Sequence, residues 1–304
     1  MIEDVIDIRT GHPGPTLAVT VLLHGDETCG LAVADAVAAG RIAPGKGRLI
    51  VPVMNRPAHT AVGGPRRHLG TDMNRLWCEA GIAADRPEAV RARAVLPLLR
   101  EADAILDLHS LPHQDVPFLM RSALRPASEH LADALADVVP RTVIAPPPVN
   151  RGPALFETAL LPPDTAIVVA ECGRHGSADA DAVALALVVT ALRTHGMIDA
   201  PTPIPTVPPF GREGAGTYEF VDEVRLRHGP FRPAASFGGF HPLRRGETYG
   251  YDGTHPMVAD EDCRILLTRP AVKPGDEALT LVRRKVGDGR WTGRDTPQDQ
   301  RSPA

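Results

Sequence analysis

Two histidines and two carboxylates stand where apolar runs stop. His24 closes the run over residues 17–23, with Glu27 three positions on; His109 closes the run over 102–108, and Glu171 the run over 165–170. Histidine and carboxylate are the side chains that hold a catalytic zinc ion by three protein ligands and leave one position for water. His24, Glu27 and His109 make such a set, for one Zn2+ per chain, and zinc lowers the pKa of its water to about 7. Glu171 is then the natural general base, taking a proton from that water and passing it to the leaving group. Asp107 lies two residues before His109, on the same face of an extended strand, where its carboxylate can orient the imidazole. A lone His-x-x-Glu is more often a polar loop than a site. Recurrence at three strand ends gives it weight.

Such residues need strands that end at a common edge. Residues 17–23, 48–54, 102–108 and 165–170 read as buried strands, with shorter ones at 116–120 and 142–145. Helical patterns fall at 31–39, stopped by Gly40, at 87–99 with Pro87 in the first turn, at 129–139 and at 178–195. Strands alternating with helices predict an α/β fold, a mixed, mainly parallel sheet flanked by helices, whose ligands bind beyond the carboxyl ends of the strands. Residues 59–77 are Gly-rich and aperiodic, and read as a long functional loop. Residues 1–200 thus form a catalytic domain and 201–209 a Pro-rich linker; 210–285 form a smaller all-β domain of short strands, and 286–304 a flexible polar tail.

Composition narrows the partners. The chain has 304 residues, 43% hydrophobic and 23% charged, with a formal charge of −4, which gives no electrostatic reason to bind nucleic acid or an anionic membrane. No apolar stretch approaches the roughly 20 residues of a membrane span. The acidic N-terminus lacks a signal-peptide pattern, so a cytoplasmic enzyme is expected. Cys29, Cys78, Cys172 and Cys263 form no C-x-x-C pair and read as reduced structural thiols. Cys29 and Cys172 lie near the site residues but lack the His-plus-Asn or His-plus-Asp framework of a thiolate nucleophile. The turn after residue 23 offers neither G-x-G-x-x-G nor a P-loop, which disfavours a nucleotide site.

Four motifs in order, H-G-x-E (His24 to Glu27), D-x-N-R (Asp72 to Arg75), D-L-H (Asp107 to His109) and the later Glu171, resemble the succinylglutamate desuccinylase/aspartoacylase family over roughly residues 17–180. These are zinc deacylases related to the metallocarboxypeptidases, and the resemblance implies a zinc-carboxypeptidase-like fold with a small C-terminal β-domain. It implies His24, Glu27 and His109 as zinc ligands and Glu171 as general base. It implies Asn74 and Arg75 as the pair holding a substrate carboxylate, for which a guanidinium fork is apt. It implies Arg67, next to Arg66, as the arginine that polarises the scissile carbonyl and stabilises the oxyanion.

The chain also departs from the family pattern. Asn-Pro-Arg becomes Asn55-Arg56-Pro57, and Leu161 stands where aspartoacylase has a further substrate arginine, with Arg151 and Arg174 as replacements to consider. Tyr218, Tyr249 and Tyr251 are candidates for a tyrosine that closes the site. His59, His68, His113 and His175 read as rim residues.

The expected function is zinc-dependent hydrolysis of the amide of an N-acyl amino acid or related small N-acyl amine, within amino-acid metabolism. Zinc-bound hydroxide would attack, with Glu171 as base and acid. A carboxypeptidase acting on short peptides is the alternative enzyme, and a metal- or ligand-binding protein without turnover the alternative outside enzymes. The expected partner is a small molecule, and a homo-oligomer remains open.

Overall fold

Leu17, Val19 and Val21 pack into one apolar layer while Ala18 and Leu23 pack into another, so the first buried run feeds two cores from one strand. That period-2 alternation, without a polar face, belongs to a strand covered on both sides. The computed structural model describes residues 2–148, 151–198, 203, 206, 207 and 214–285. Its strands and helices run β1 (Val5–Arg9), β2 (Thr16–Thr20), α1 (Cys29–Ala38), β3 (Arg48–Pro52), α2 (Arg56–His59), α3 (Glu79–Ala83), α4 (Pro87–Leu99), β4 (Ala104–Leu111) and β5 (Phe118–Ser122). They continue with α5 (Ser128–Leu135), β6 (Arg141–Ala145), β7 (Ala166–Arg174), α6 (Ala178–Thr194), β8 (Gly216–Arg225), β9 (Phe231–Pro233), β10 (His241–Leu243), β11 (Thr248–Asp252), β12 (His255–Val258), β13 (Cys263–Thr268) and β14 (Glu277–Arg284).

Eleven strands form one mixed sheet in the order β1-β3-β2-β4-β7-β5-β6-β8-β14-β13-β10. The central strands β3, β2, β4 and β7 are parallel. The sheet turns antiparallel at β1, between β7 and β5, and again from β8 to β10. The expected mainly parallel sheet therefore holds at the centre and gives way to antiparallel pairing at the flanks. Helices α1, α5 and α6 cover one face. Helix α4, Trp77 and the 3-10 turn Leu155–Glu157 cover the other, where Ile50, Ile105 and Ile167 point.

From β2 the chain passes through α1 to β3 on one side, and later returns through α4 to β4 on the other. The strand order reverses at β2, which opens a crevice between the ends of β2 and β4, the usual ligand position in such sheets.

Two strands overrun their apolar runs. β4 continues past His109 to Leu111, and β7 past Glu171 to Arg174, because each still has a neighbour to pair with. Phe118 of β5 and His109 of β4 both stand opposite Glu171. Apolar character ends at these residues, but hydrogen-bond pairing does not.

The described residues from 214 onward carry seven β-strands, as expected of an all-β stretch. Four of them extend the main sheet through the parallel β6–β8 pair, and β9, β11 and β12 form a separate three-stranded sheet. Most of the Pro-rich stretch 201–209 and the whole tail 286–304 lie outside the described residues. Among the described residues no helix is long and apolar enough to cross a membrane.

Candidate active site

The site is set where β2, β4 and β7 deliver residues on the α4 face of the sheet. Beyond β2 the backbone leaves its extended path at Leu22, a fully buried residue held at φ +56°. A left-handed leucine is a strained choice, of the kind that collects at functional sites. It reorients the turn, so that His24 and Glu27 face inward. Gly25 follows because a side chain there would have no room: its Cβ would lie 2.5 Å from His59 N and 2.6 Å from Arg66 O. The backbone of the long loop is pressed onto this glycine, with Gly25 N donating to Arg67 O at 3.0 Å and His59 Nδ1 meeting Gly25 O at 2.9 Å.

His24, Glu27 and His109 come together, all nearly inaccessible to solvent, with one donor atom from each within 4.8 Å of the others. Glu27 Oε1 meets His24 Nδ1 and Glu27 Oε2 meets His109 Nδ1, both at 2.7 Å. The far nitrogens are held by other carboxylates: His24 Nε2 by Asp72 at 3.0 Å and His109 Nε2 by Asp107 at 3.0 Å. Asp107 is fully buried and also accepts from the Thr20 hydroxyl at 2.5 Å. Each imidazole is thus oriented from behind with Nδ1 turned to the centre, as in metal sites where outer carboxylates fix the ligating histidines. The donor set fits a divalent cation.

The electrostatics are steep. Burial disfavours the charged forms of both imidazoles, yet Glu27 with Asp72, and Asp107 with Glu27, outweigh it and raise the pKa values of His24 and His109. Burial likewise works against the Glu27 carboxylate, and the two histidines overcome it and hold Glu27 well below its usual range. Asp72 is also held low, where the hydrogen bond from His24 and the charges of His24 and Arg67 exceed the cost of burial.

Glu171 is different. Burial pushes its pKa up to about 7 against the opposing pull of His109, and Oε2 is shielded from solvent without a hydrogen-bond partner.

The long loop brings the arginines. Arg67 donates to Glu27 Oε1 at 2.9 Å and to Asp72 Oδ2 at 3.3 Å, whereas Arg66 turns away to Val62 O. Asp72 caps the 3-10 turn Met73–Arg75 by accepting from Asn74 N at 2.8 Å. Asn74 Oδ1 accepts from Leu155 N at 3.0 Å, and exposed Arg75 donates to Asn74 O at 2.7 Å. Gly152 closes against this turn: a Cβ there would stand 1.9 Å from Arg75 O.

The replacements considered for the arginine absent at Leu161 are both committed. Arg151 makes a two-pronged pair with Glu157 at 2.6 Å, and Arg174 pairs with Asp115. Tyr218 packs on Phe240 and donates to Gly214 O, Tyr249 sits in the core of the C-terminal strands, and Tyr251 lies beside Arg232. Each tyrosine is engaged elsewhere. Asn55 is buried, with Nδ2 lacking a hydrogen-bond partner and its backbone N donating to Leu22 O at 3.0 Å. Cys29 donates to His109 O at 3.3 Å from a fully buried position, and burial with neighbouring Cys29 pushes the Cys172 thiol well up, which leaves Cys172 without thiolate character.

Three contributors escaped the sequence. Asp72 was legible as a motif member but not as the partner of His24, 48 positions away. Glu88, in the first turn of α4, accepts from the backbone N–H groups of Leu69, Gly70 and Thr71 and so clamps the loop that carries Arg67 and Asp72. His175, read as a rim residue, stands with Asp26 and Glu27.

The family model for the succinylglutamate desuccinylase/aspartoacylase catalytic domain matches residues 13–185. No curated protein matches the chain. Among solved structures the chain is similar to the succinylglutamate desuccinylase of Vibrio parahaemolyticus, with 17% identity, TM-score 0.69, and 92% of this chain and 85% of that one covered. It is similar to the product-bound ectoine utilization protein EutE (DoeB) of Ruegeria pomeroyi, with 20% identity, TM-score 0.70, and coverage of 92% and 88%. The succinylglutamate desuccinylase of Chromobacterium violaceum gives 20% identity, TM-score 0.66 and coverage of 92% and 88%. At these identities the structural likeness establishes a shared fold.

Proposed function

Because the chain belongs to the succinylglutamate desuccinylase/aspartoacylase family, we propose that it is a metal-dependent deacylase that hydrolyses the amide of a small N-acyl amino acid, on a zinc-carboxypeptidase-like fold. The observation that carries this reading is the convergence of His24, Glu27 and His109, with Glu171 opposite His109 on the neighbouring strand.

His24, Glu27 and His109 would hold the cation, and zinc suits such a set. When bound, it supplies Lewis acidity, which acidifies water and polarises an amide carbonyl. Glu171, with a pKa of about 7 and an unpaired oxygen, is poised to take a proton from the attacking water and return it to the leaving amine nitrogen. Arg67, whose guanidinium already reaches the ligand carboxylate, supplies donors to the oxygen on which negative charge develops. Arg75 and the amide of Asn74 hold a substrate carboxylate. The exposed Arg75 fork binds it, and Leu155 N fixes Asn74 Oδ1 so that its NH2 is presented. With Arg151 committed to Glu157 and Arg174 to Asp115, the substrate carries one carboxylate, so simple N-acyl amino acids are favoured over N-acyl aspartate or N-succinyl glutamate.

The test measures metal content of the purified protein together with hydrolysis of N-acyl amino acids bearing one or two carboxylates, before and after chelation. Chelator-sensitive release of an amino acid from a substrate with one carboxylate is the expected result. A fully metal-loaded protein inert on every N-acyl amino acid tested would overturn the reading.

A further inference from the structure

Asn74 and Arg75 sit on the long loop, yet what fixes them comes from another part of the chain. Residues 151–158, in the connection between β6 and β7, lie along residues 74–77 and meet them at four points. Leu155 N donates to Asn74 Oδ1 at 3.0 Å, Trp77 N donates to Pro153 O at 3.3 Å, and Thr158 Oγ1 donates to Trp77 O at 2.6 Å. At the fourth point Gly152 lies so close under Arg75 O that a Cβ would stand 1.9 Å from it.

This segment has only the 3-10 turn Leu155–Glu157 for regular structure, so its shape has to come from side chains. Glu157 supplies it. The Glu157 side chain is wholly shielded from solvent, and its two oxygens accept separately from Arg151 Nη1 and Nη2 at 2.6 Å each. Its Oε2 also accepts from Ala154 N at 2.8 Å. One carboxylate therefore ties residue 151 to residues 154 and 157, with Gly152 and Leu155 carried between them. A two-pronged guanidinium–carboxylate pair fixes direction as well as distance.

We propose that Glu157 is a positioning residue for the substrate carboxylate. Through Arg151 and Ala154 N it sets the segment whose Leu155 N orients the Asn74 amide and whose Gly152 supports Arg75. It acts through these neighbours and not on the substrate. The inference rests on reading Asn74 and Arg75 as the pair that holds that carboxylate, and the experiment tells failure of one from failure of the other.

Metal-loaded, full-length protein is assayed on its best substrate among N-acyl amino acids with one carboxylate, and on the carboxamide of that compound. Calorimetry on chelator-stripped protein measures binding of the same two compounds without turnover, and so decides where the wild type is inert. Glu157→Gln keeps the side-chain shape and removes the charge. It should raise KM for the acid, and weaken its binding to stripped protein, by about tenfold, the scale of one hydrogen bond. The kcat on the acid and the rate on the carboxamide should stay at the wild-type values, as when uniform binding is lost. Arg151→Gln should act in the same direction, and it decides if circular dichroism shows Glu157→Gln unfolded.

If Arg151 itself bound the substrate, Glu157→Gln would release it and lower KM, while Arg151→Gln raised KM. That pair of results overturns the positioning role. Unchanged KM and binding in both variants overturn it too, as does an equal loss of kcat on both compounds, which marks general damage to the fold. A wild type that binds the acid no better than the carboxamide removes Asn74 and Arg75 as the carboxylate holders, and this role for Glu157 with them.

Discussion

Glu27, Asp72 and Asp107 each accept from an imidazole, and Glu171 does not. That difference decides its chemistry, because burial then outweighs the pull of His109 and the carboxylate keeps its proton to higher pH. The pKa of about 7 matches a group that must both take and give a proton near neutrality. Glu171→Gln removes this capacity and keeps the shape. It should lower kcat by about 10²–10⁴-fold while the bound metal per chain stays unchanged. Turnover at the wild-type rate would remove Glu171 as the base. At this scale the sequence was most legible where motif and strand coincide. His24 and His109 could be named because each closes an apolar run, Glu27 because it follows His24 by three positions, and Asp107 because the two-residue strand period puts it beside His109. In the sequence the resemblance alone favours Arg67 over the adjacent Arg66, and the path of the loop turns Arg67 to Glu27 and Arg66 to Val62.

The element that brings Arg67, Asp72, Asn74 and Arg75 to the site has little regular structure beyond the 3-10 turn Met73–Arg75. Residues 59–77 are held by contacts at a few points, among them Gly25 under the backbone of residues 58 and 66, and Glu88 under residues 69–71. Glu88 is almost fully buried, and although burial raises its pKa, the backbone N–H groups of Leu69 and Gly70 outweigh that and lower it. A carboxylate whose folded pKa is depressed contributes stability above its unfolded value, about 4.5, and loses it as pH falls through the lower folded value. Glu88→Gln keeps the volume and removes the charge. It should cost about 1–3 kcal/mol at neutral pH, the range for weakening hydrogen bonds to a buried charged acceptor. The difference in Tm between wild type and variant should narrow as pH falls below about 4.5 and close once pH is below the lower folded value, where the wild-type side chain is itself protonated. A pH-independent difference would assign the loss to packing rather than charge. Helix α4 was legible to its ends, Pro87 and Leu99, because proline fits a first turn and the apolar stripe stops there. The clamp was not, because its hydrogen bonds run to backbone atoms 17 to 19 residues away, which no side-chain pattern records.

For the whole molecule, the question is whether the C-terminal strands stand alone. The turn-rich composition after residue 210 showed that strands would form there, but not what they would pair with. Parallel pairing of β6 with β8 joins residues 141–144 to 216–219 across a long connection, and neither strand carries a local mark of its neighbour. The structure seals this seam with Tyr218, which is 1% exposed and packs with Phe118, Val143 and Phe240 from both sides of it. Unfolding the C-terminal strands would uncover the edge of β6 and the side of Phe118, a residue whose strand pairs with β7 at Glu171. Loss of a large buried aromatic side chain typically costs about 3–5 kcal/mol. Tyr218→Ala should therefore destabilise the catalytic strands by the same amount as the strands it belongs to. In a Trp291→Phe background, the remaining Trp77, fully buried on the α4 face, reports on the catalytic side. Its fluorescence and far-UV circular dichroism should give coincident urea transitions, both moved to lower denaturant by Tyr218→Ala. A fluorescence transition that stays in place while part of the dichroism signal shifts would mean that the two halves fold independently, with the β6–β8 pair as a docking contact between them.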